Sequence, residues 1–485
     1  MAASTRKQKS NISCTMLMIS GSVLLVVVVV LLSNEPKYFQ ADPFRTNYFQ
    51  SEVVNITTHN KSSSLVYDDT TNISHLVFGL VGTTKAWNYR KFYIESWWRP
   101  NVTRGFIYLD TEPTEDLLPW SSASPPFRIS EDITKLLNEI KHLDPIIARL
   151  VHAAVEVYRE ENEGVRWYIM GDDDSIFFVD NLVDVLSNYD HTKYIYIGAH
   201  SECIVSNQHY SYDMGFGGAG LIMSYPLAKL VQKNIEDCFR RHPYSHGADL
   251  LLMTCVNDFG VSLTAHQGLH QIDLHGDISG LLSSHPKAPL LSLHHFDHVE
   301  PIFRTMNRSE SAKQLMKAAN VDQSRLVQQT ICYDRKFRWS FSLSWGYSIQ
   351  IYENIIPRST LKTPLETFLP WAWDPNSQLL YIFNTRPLSN DPCTTPHVFS
   401  FDSIKKINDD EVQTNYVRVA SRELPTCGVA GNYSADSVSR IEVLSPVTKP
   451  NQNGKTECCD VVEITEGMDI AKIKLRDCMD DELIA

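Results

Sequence analysis

Three adjacent carboxylates, Asp172-Asp173-Asp174, follow the apolar stretch Trp167-Tyr168-Ile169-Met170 and Gly171, and precede Ser175. Like charges held this close repel, and burial drives each toward protonation unless a cation offsets them. A divalent ion does so, because magnesium and manganese take hard oxygen ligands and usually complete their shell with substrate phosphates. Open α/β sheets bind ligands just beyond the carboxyl ends of their strands. Asp-x-Asp at such a place reads as a seat for a metal and a nucleotide diphosphate. Asp172 and Asp174 are the metal-ligand candidates, and Asp172 and Asp173 also stand ready for ribose and sugar hydroxyls. The competing reading is a solvated loop that caps a helix. A phosphotransferase of the haloacid-dehalogenase type also places Asp-x-Asp after a strand, but it wants Thr or Val two positions later, where this chain has Ile176.

Other residues are candidates for the same chemistry. Met214-Gly215-Phe216-Gly217-Gly218-Ala219-Gly220 precedes the apolar Leu221-Ile222-Met223 and has no phosphate-loop lysine. Glycine at this density lets backbone approach a ligand closely. Gly217 and Gly218, together with Gly79 and Gly82 of an earlier strand, are therefore assigned to the surroundings of the cofactor; a tight turn into a strand is the alternative. A histidine-dense span runs from His266 to His298, and His294-His295 follows the strand-like residues 289–293. Either imidazole can join the carboxylates around one metal.

The elements that must hold these groups are legible from periodicity. Leu76-Val77-Phe78-Gly79-Leu80-Val81-Gly82 is a short apolar run of the kind found in buried parallel strands. Residues 87–98 carry aromatic and charged residues at helical spacing, and residues 106–110 read as a second strand. Asp144 caps a helix with Pro145 at its first position and Ile146, Ile147, Leu150, Val151, Ala154, Val155 and Tyr158 on one face. Asp180 is expected to cap another helix. Strands alternating with helices imply βαβ units and a mainly parallel, doubly wound α/β sheet. After about Phe303 the rhythm fades, and tryptophans, prolines and alternating stretches such as Arg338-Trp339-Ser340-Phe341 favour a β-rich C-terminal module.

With 485 residues, 43% of them hydrophobic and 21% charged, the chain is neither disordered, collagen-like nor a polytopic membrane protein. Its net charge of -13 and the lack of a long basic run exclude a nucleic-acid footprint. Arg6, Lys7 and Lys9 precede an uncharged apolar stretch over residues 14–32, and about twenty residues at 1.5 Å each just span a bilayer core. The expected organisation is a cytosolic tail (1–13), a transmembrane signal anchor (14–33), a luminal stem (34–72), a catalytic domain (73–305) and a cysteine-containing module (306–485). A cleaved signal peptide is the rival, weakened by Leu31 at the minus-three position of the cleavage site. Either way the remainder lies in an oxidising lumen or outside the cell. Asn-x-Ser/Thr acceptors at Asn55, Asn60, Asn72, Asn101, Asn307 and Asn432 agree with that. So do nine cysteines beyond the span with no Cys-x2-Cys pair. Cys238 and Cys255 are placed to bridge neighbouring helices, and the six from Cys332 onward to staple the C-terminal part.

Taken together, Trp167-Tyr168-Ile169-Met170-Gly171-Asp172-Asp173-Asp174, Gly217-Gly218-Ala219-Gly220 and His294-His295-Phe296-Asp297 resemble the Fringe-type members of glycosyltransferase family thirty-one. The likeness spans roughly residues 75–305, with support from His270-Gln271, Asp273 and Val299-Glu300-Pro301-Ile302-Phe303. A plant branch of Fringe-like proteins, long catalogued as a domain of unknown function, also accounts for Ile331-Cys332-Tyr333 and Trp345-Gly346-Tyr347. The resemblance implies a GT-A fold, a single-pass type II Golgi anchor and inverting transfer from a UDP-sugar, with manganese or another divalent cation, to a glycan or glycoprotein hydroxyl, β1,3 by analogy. It carries the metal-binding role to Asp174 and to His294 or His295. The family's base lies in an acidic pair at the start of a helix, where this chain has Gly247-Ala248-Asp249-Leu250; only the first acid is present, and Asp249 is the catalytic candidate. Asp249 as a simple helix cap, and the whole chain as a non-catalytic sugar-binding or scaffolding protein, are the alternatives.

Overall fold

The computed structural model of the chain describes residues 70–160, 162–428, 433–447, 457–465, 467 and 469–483. Residues 68–485 form one compact unit. In chain order, β1 (Leu76–Val81) leads through α1 (Thr84–Trp97) to β2 (Arg104–Leu109) and β3 (Phe127–Ile129). α2 (Thr134–Ile140) and α3 (Pro145–Glu160) precede β4 (Trp167–Asp172), the short β5 (Ile176–Phe177) and α4 (Val179–Leu186). β6 (Tyr196–Gly198), α5 (Ile204–His209), β7 (Leu221–Ser224), α6 (Tyr225–Arg241), α7 (Ala248–Asn257) and β8 (Leu263–Ala265) complete this part. Seven of these strands form a sheet in the order β3-β2-β1-β4-β7-β6-β8.

Both faces of that sheet are covered. Along β1, Val77 and Val81 pack with α3, α6 and α7, while Leu76, Phe78 and Leu80 join the core on the opposite side with Trp87, Ile94 and Trp97 of α1. Successive side chains of a strand point to opposite faces, so a run apolar at every position belongs in a sheet with helices on each side. α3 starts as its sequence dictates, with the Asp144 carboxylate accepting from the N–H groups of Ile146 and Ile147. Of its expected apolar face only Ile146 is exposed. Asp180 does not cap α4; it lies inside the first turn and pairs with Arg99.

The sheet is mainly parallel, as expected: β1–β2, β2–β3, β1–β4 and β6–β8 run parallel, and β7 alone runs antiparallel to its neighbours β4 and β6. The expected fold class needs correction on its membrane helix: among the described residues no helix is long and apolar enough to cross a membrane. The longest described helix, α6, has 17 residues and carries Lys229, Lys233, Glu236, Asp237, Arg240 and Arg241; a spanning helix needs about 20 predominantly apolar ones. The span expected over residues 14–33, the tail before it and the stem up to residue 69 lie outside the described residues.

Beyond the first sheet come β9 (Leu274–Gly276), α8 (Ser279–Ser284), β10 (Ser292–Leu293) and α9 (Arg308–Ala319). β11 (Gln329–Asp334), β12 (Trp339–Ser344) and β13 (Ser348–Tyr352) follow, then β14 (Phe368–Pro370), which pairs antiparallel with β9. β15 (His397–Lys406), β16 (Glu411–Arg418), β17 (Arg440–Pro446), β18 (Cys458–Ile464) and β19 (Ile470–Arg476) complete the chain. Eight of these strands form a second sheet, β11-β12-β13-β15-β16-β17-β19-β18, antiparallel except between β17 and β19. Its inner residues, among them Trp339, Phe341, Phe399 and Ile473, belong to the same apolar cluster as Leu76 and Trp97. α9 wedges between the two parts: it packs on α1, and Gln314 donates to the carbonyls of Phe401 and Asp402. Cys238–Cys255 joins α6 to α7, and Cys332–Cys459, Cys393–Cys427 and Cys458–Cys478 close the second sheet and its loops. Cys203 is free and buried.

Candidate functional site

The acidic triplet begins at the carboxyl end of β4, where the strand gives way to a turn. Ser175 stitches that turn: its hydroxyl accepts from the Asp172 N–H and donates to the Gly218 carbonyl 2.7 Å away. Immediately after it, β5 pairs antiparallel with β10, Ile176 opposite Leu293. This short ladder brings His294, more than a hundred residues later in sequence, against the triplet. His294 Nε2 lies 3.1 Å from Asp174 Oδ1 and 3.5 Å from Asp172 Oδ2. Asp172, Asp174 and His294 each offer a ligand atom within 4.8 Å of the others.

The three carboxylates differ in their surroundings. Asp174 is buried, and its oxygens meet only ion-pair contacts, to His294 and to Arg90 Nη2 at 3.6 Å. Burial alone would raise its pKa, but His294 and Arg90 outweigh that and hold it well below the ordinary carboxylate range. Asp173 is pushed up to about 6 by burial and by Asp174, against a 2.8 Å ion pair with Arg90. Asp172 is crowded by protein atoms although its side chain keeps 43% of its surface open, and partial loss of solvation with its acidic neighbours raises its pKa against the pull of His294. Burial opposes charge on His294, yet Asp174 and Asp172 raise its pKa to about 9. One protonated imidazole and one guanidinium thus do part of what a metal would. A pair of carboxylates and an imidazole Nε2 nevertheless remain in a hard, oxygen-rich donor set with orphaned buried oxygens on Asp174, which fits magnesium or manganese.

His295 is turned away from that cluster. It adopts a left-handed backbone, φ 61°, a conformation uncommon outside glycine. Its Nδ1 faces Asp273 Oδ1 at 3.0 Å, and its ring stacks on Trp371 at 4.7 Å between centroids. Of the two expected imidazoles, His294 therefore joins Asp172 and Asp174, and His295 does not.

The glycines have a tangible reason to be glycines. A Cβ at Gly218 would lie 2.0 Å from His294 Cε1, and one at Gly217 would lie 2.4 Å from Asp249 Oδ1. At Gly82 it would meet Asp173, and at Gly79 the Met170 side chain. Glycine at these four places makes room for the site's own side chains or for core packing. The loop is pinned from several sides, since Ala219 donates to Gln271 and Ser292 to the Ala219 carbonyl. Asp249 stands in the first turn of α7 but does not cap it; its carboxylate accepts from the Gly217 N–H at 2.8 Å. Burial pushes its pKa up to about 6 despite that bond. Leu250 packs instead with Met214, Phe216 and Met253.

Arg90 and Tyr93 are not among the residues that the sequence singles out, and Asp297 stands there only as part of the His294-His295-Phe296-Asp297 motif, without a role. Arg90 bridges Asp173, Asp174 and Asp297, and Tyr93 donates to Asp297 at 2.7 Å. The signal was present: Trp87, Arg90, Ile94 and Trp97 share one helical face, and a cation on an otherwise apolar face needs a buried partner.

The profile of a family described as "Protein of unknown function, DUF604" matches residues 206–459, just over half of the chain. A second, described as "Fringe-like", matches residues 81–286. The chain belongs to the DUF604 family, a Fringe-like glycosyltransferase branch. The triplet and Asp249 fall inside the Fringe-like match, and His294 falls inside the DUF604 match alone. Two solved structures are distantly similar to this DUF604 protein. One is a glycosyltransferase involved in the glycosylation of the major capsid of PBCV-1, at 12% identity and a TM-score of 0.26, covering 49% of this chain and 97% of that one. The other is mouse xyloside xylosyltransferase 1 in its apo form, at 12% identity and a TM-score of 0.23, covering 42% and 85%. At such scores they carry no argument about the site.

Proposed function

We propose that this Fringe-like chain is a metal-dependent inverting transferase that moves a sugar from a UDP-sugar to a hydroxyl of a glycan or glycoprotein, with a β1,3 linkage. The observation that carries this reading is the cluster of Asp172, Asp174 and His294, with the buried oxygens of Asp174 left without hydrogen-bond donors. These three residues would hold the divalent cation, manganese by family analogy. Bound there, it supplies positive charge for the diphosphate leaving group. Arg90 fixes the two deeper carboxylates so that the cluster is preformed. Asp249 acts as general base: it takes the proton of the acceptor hydroxyl as that oxygen bonds to the sugar's anomeric carbon. The bond from that carbon to the β-phosphate oxygen breaks on the opposite face, and its electron pair leaves with UDP. Four disulfides support residence in an oxidising compartment of the secretory pathway, such as the Golgi lumen.

The test is UDP release from a panel of UDP-sugars in the presence of manganese. Asp174→Ala should abolish it, and unchanged turnover ends the proposal. One observation favours a non-catalytic sugar-binding protein instead: Leu250 occupies the place of the family's second acid and packs into an apolar wall. Glycan binding without any UDP-sugar turnover would select that reading.

A further inference from the structure

A cleft of about 230 Å³ opens beside Asp249, on the side lined by Tyr210, Phe216, Gln271, Asp273 and Trp371. Its volume falls below the roughly 300–1,000 Å³ of pockets for drug-sized ligands, which suits one sugar ring. Trp371 comes from a segment well beyond the Fringe-like match at residues 81–286. It is placed by β14, which pairs with β9 so that the Trp371 N–H donates to the Asp273 carbonyl at 3.1 Å. Stacking against His295 and His275, at 4.7 and 4.8 Å between centroids, locks its ring as a wall.

The opposite wall is held by the same segment. Ile204 donates to the Leu380 carbonyl, Ile382 donates to the Glu202 carbonyl, and Cys203 bridges to Tyr381. The Cys203 thiol also points at the Ala372 carbonyl, 3.3 Å away. These bonds strap residues 371–382 to the start of α5, the helix that leads into Tyr210. The floor is polar and acidic. Asp273, buried, accepts from Ser201 on one oxygen and faces His295 with the other, and Ser206 also reaches it, so little of its acceptor capacity is left for a further donor. The exposed Tyr210 ring suits the apolar face of a pyranose, while Trp371, already stacked on His295 and His275, closes the cleft as a rigid boundary. Carboxylates favour hydroxyl donors, and Asp249 and Asp273 together repel an anionic ring.

We propose that residues 368–382 complete a subsite for the uncharged terminal pyranose of the acceptor, seated over Asp249 between Tyr210 and Trp371. This rests on the transferase reading and assigns the acceptor's recognition to a part of the chain outside the Fringe-like match. The experiment is saturation-transfer NMR on the full chain with p-nitrophenyl β-galactoside, β-glucoside, β-xyloside and β-N-acetylglucosaminide, and with the β-glucuronide as anionic counterpart. At least one neutral glycoside should bind at millimolar concentration, and the glucuronide should not. Tyr210→Ala, at the cleft surface, and Trp371→Ala should each weaken that binding at least tenfold, with UDP–manganese affinity unaltered. Should Trp371→Ala fail to fold, Tyr210→Ala alone carries the test. Equal binding to wild type and Tyr210→Ala, preference for the glucuronide, or no glycoside binding beside intact UDP–manganese binding overturns the subsite. Loss of UDP–manganese binding in the wild type, with glycosides still bound here, overturns the transferase reading instead.

Discussion

At Gly218 a single hydrogen separates the backbone from the His294 ring, since a Cβ would come within 2.0 Å of Cε1. Gly218→Ala should therefore push the imidazole off the Asp172–Asp174 pair. Overpacking of this kind costs about 1–3 kcal/mol, so calorimetry with manganese should show affinity weaker by tenfold or more, while the fold survives. Asp249 gives a second prediction at this scale. Its carboxyl, raised to about 6 by burial, must be ionised to accept a proton. kcat/KM should then climb as pH rises through about 6 and level off above, falling by about tenfold per unit on the acid side. Asp249→Asn should remove about 10²–10⁴-fold in kcat, measured as sugar transfer, while metal-dependent UDP binding persists.

Among the elements, the end of β13 is tied to Cys427, Ser434 and Ala435 by one buried carboxylate. Glu353 is fully buried at the end of β13 and accepts from His397 Nε2, from the N–H groups of Cys427 and Ala435, and from the Ser434 hydroxyl, with Arg422 at 3.2 Å. Burial alone would raise its pKa, but these donors hold it down to about 2. A depressed carboxyl contributes stability that is fully present above its unfolded pKa, near 4.5, and is lost as pH falls toward 2. Removing one partner of a buried charge pair costs about 3–5 kcal/mol. Glu353→Gln should thus lower the melting temperature markedly at pH 7, and the gap from wild type should close as the scan is repeated toward pH 2–3. A gap independent of pH would show that packing, not charge, is what Glu353 provides.

For the molecule as a whole, the Fringe-like part and the second sheet share one apolar cluster, running from Leu76 of β1 to Leu475 of β19. α9 and the strap over residues 371–382 tie them further. A fragment ending at residue 305 would uncover Phe303, whose ring packs on Tyr347, and Ile302, whose carbonyl accepts from the Tyr347 hydroxyl. It should be insoluble or bind a hydrophobic dye strongly, with weak near-ultraviolet dichroism, whereas the chain through residue 485 should show one cooperative unfolding transition. A soluble fragment with native dichroism and UDP–manganese affinity would show that the second sheet is dispensable for folding.

The strands β1, β2 and β4, the helices α1 and α3, and the place of the triplet at a strand end were legible because local periodicity and capping decide them. So was the bridge between Cys238 and Cys255, which joins two neighbouring helices. The choice between His294 and His295 was not legible. It depends on the β5–β10 ladder and on a left-handed turn at His295, and both are consequences of packing across more than a hundred residues. Glycine-rich sequence announced close approach, but not that the approaching groups are His294 and Asp249 of the chain itself. The cation set between the carboxylates, Arg90, and the wall that Trp371 contributes were likewise decided in three dimensions. Spacing along a chain specifies turns and faces, whereas which distant side chain fills a gap is fixed only when the whole interior closes.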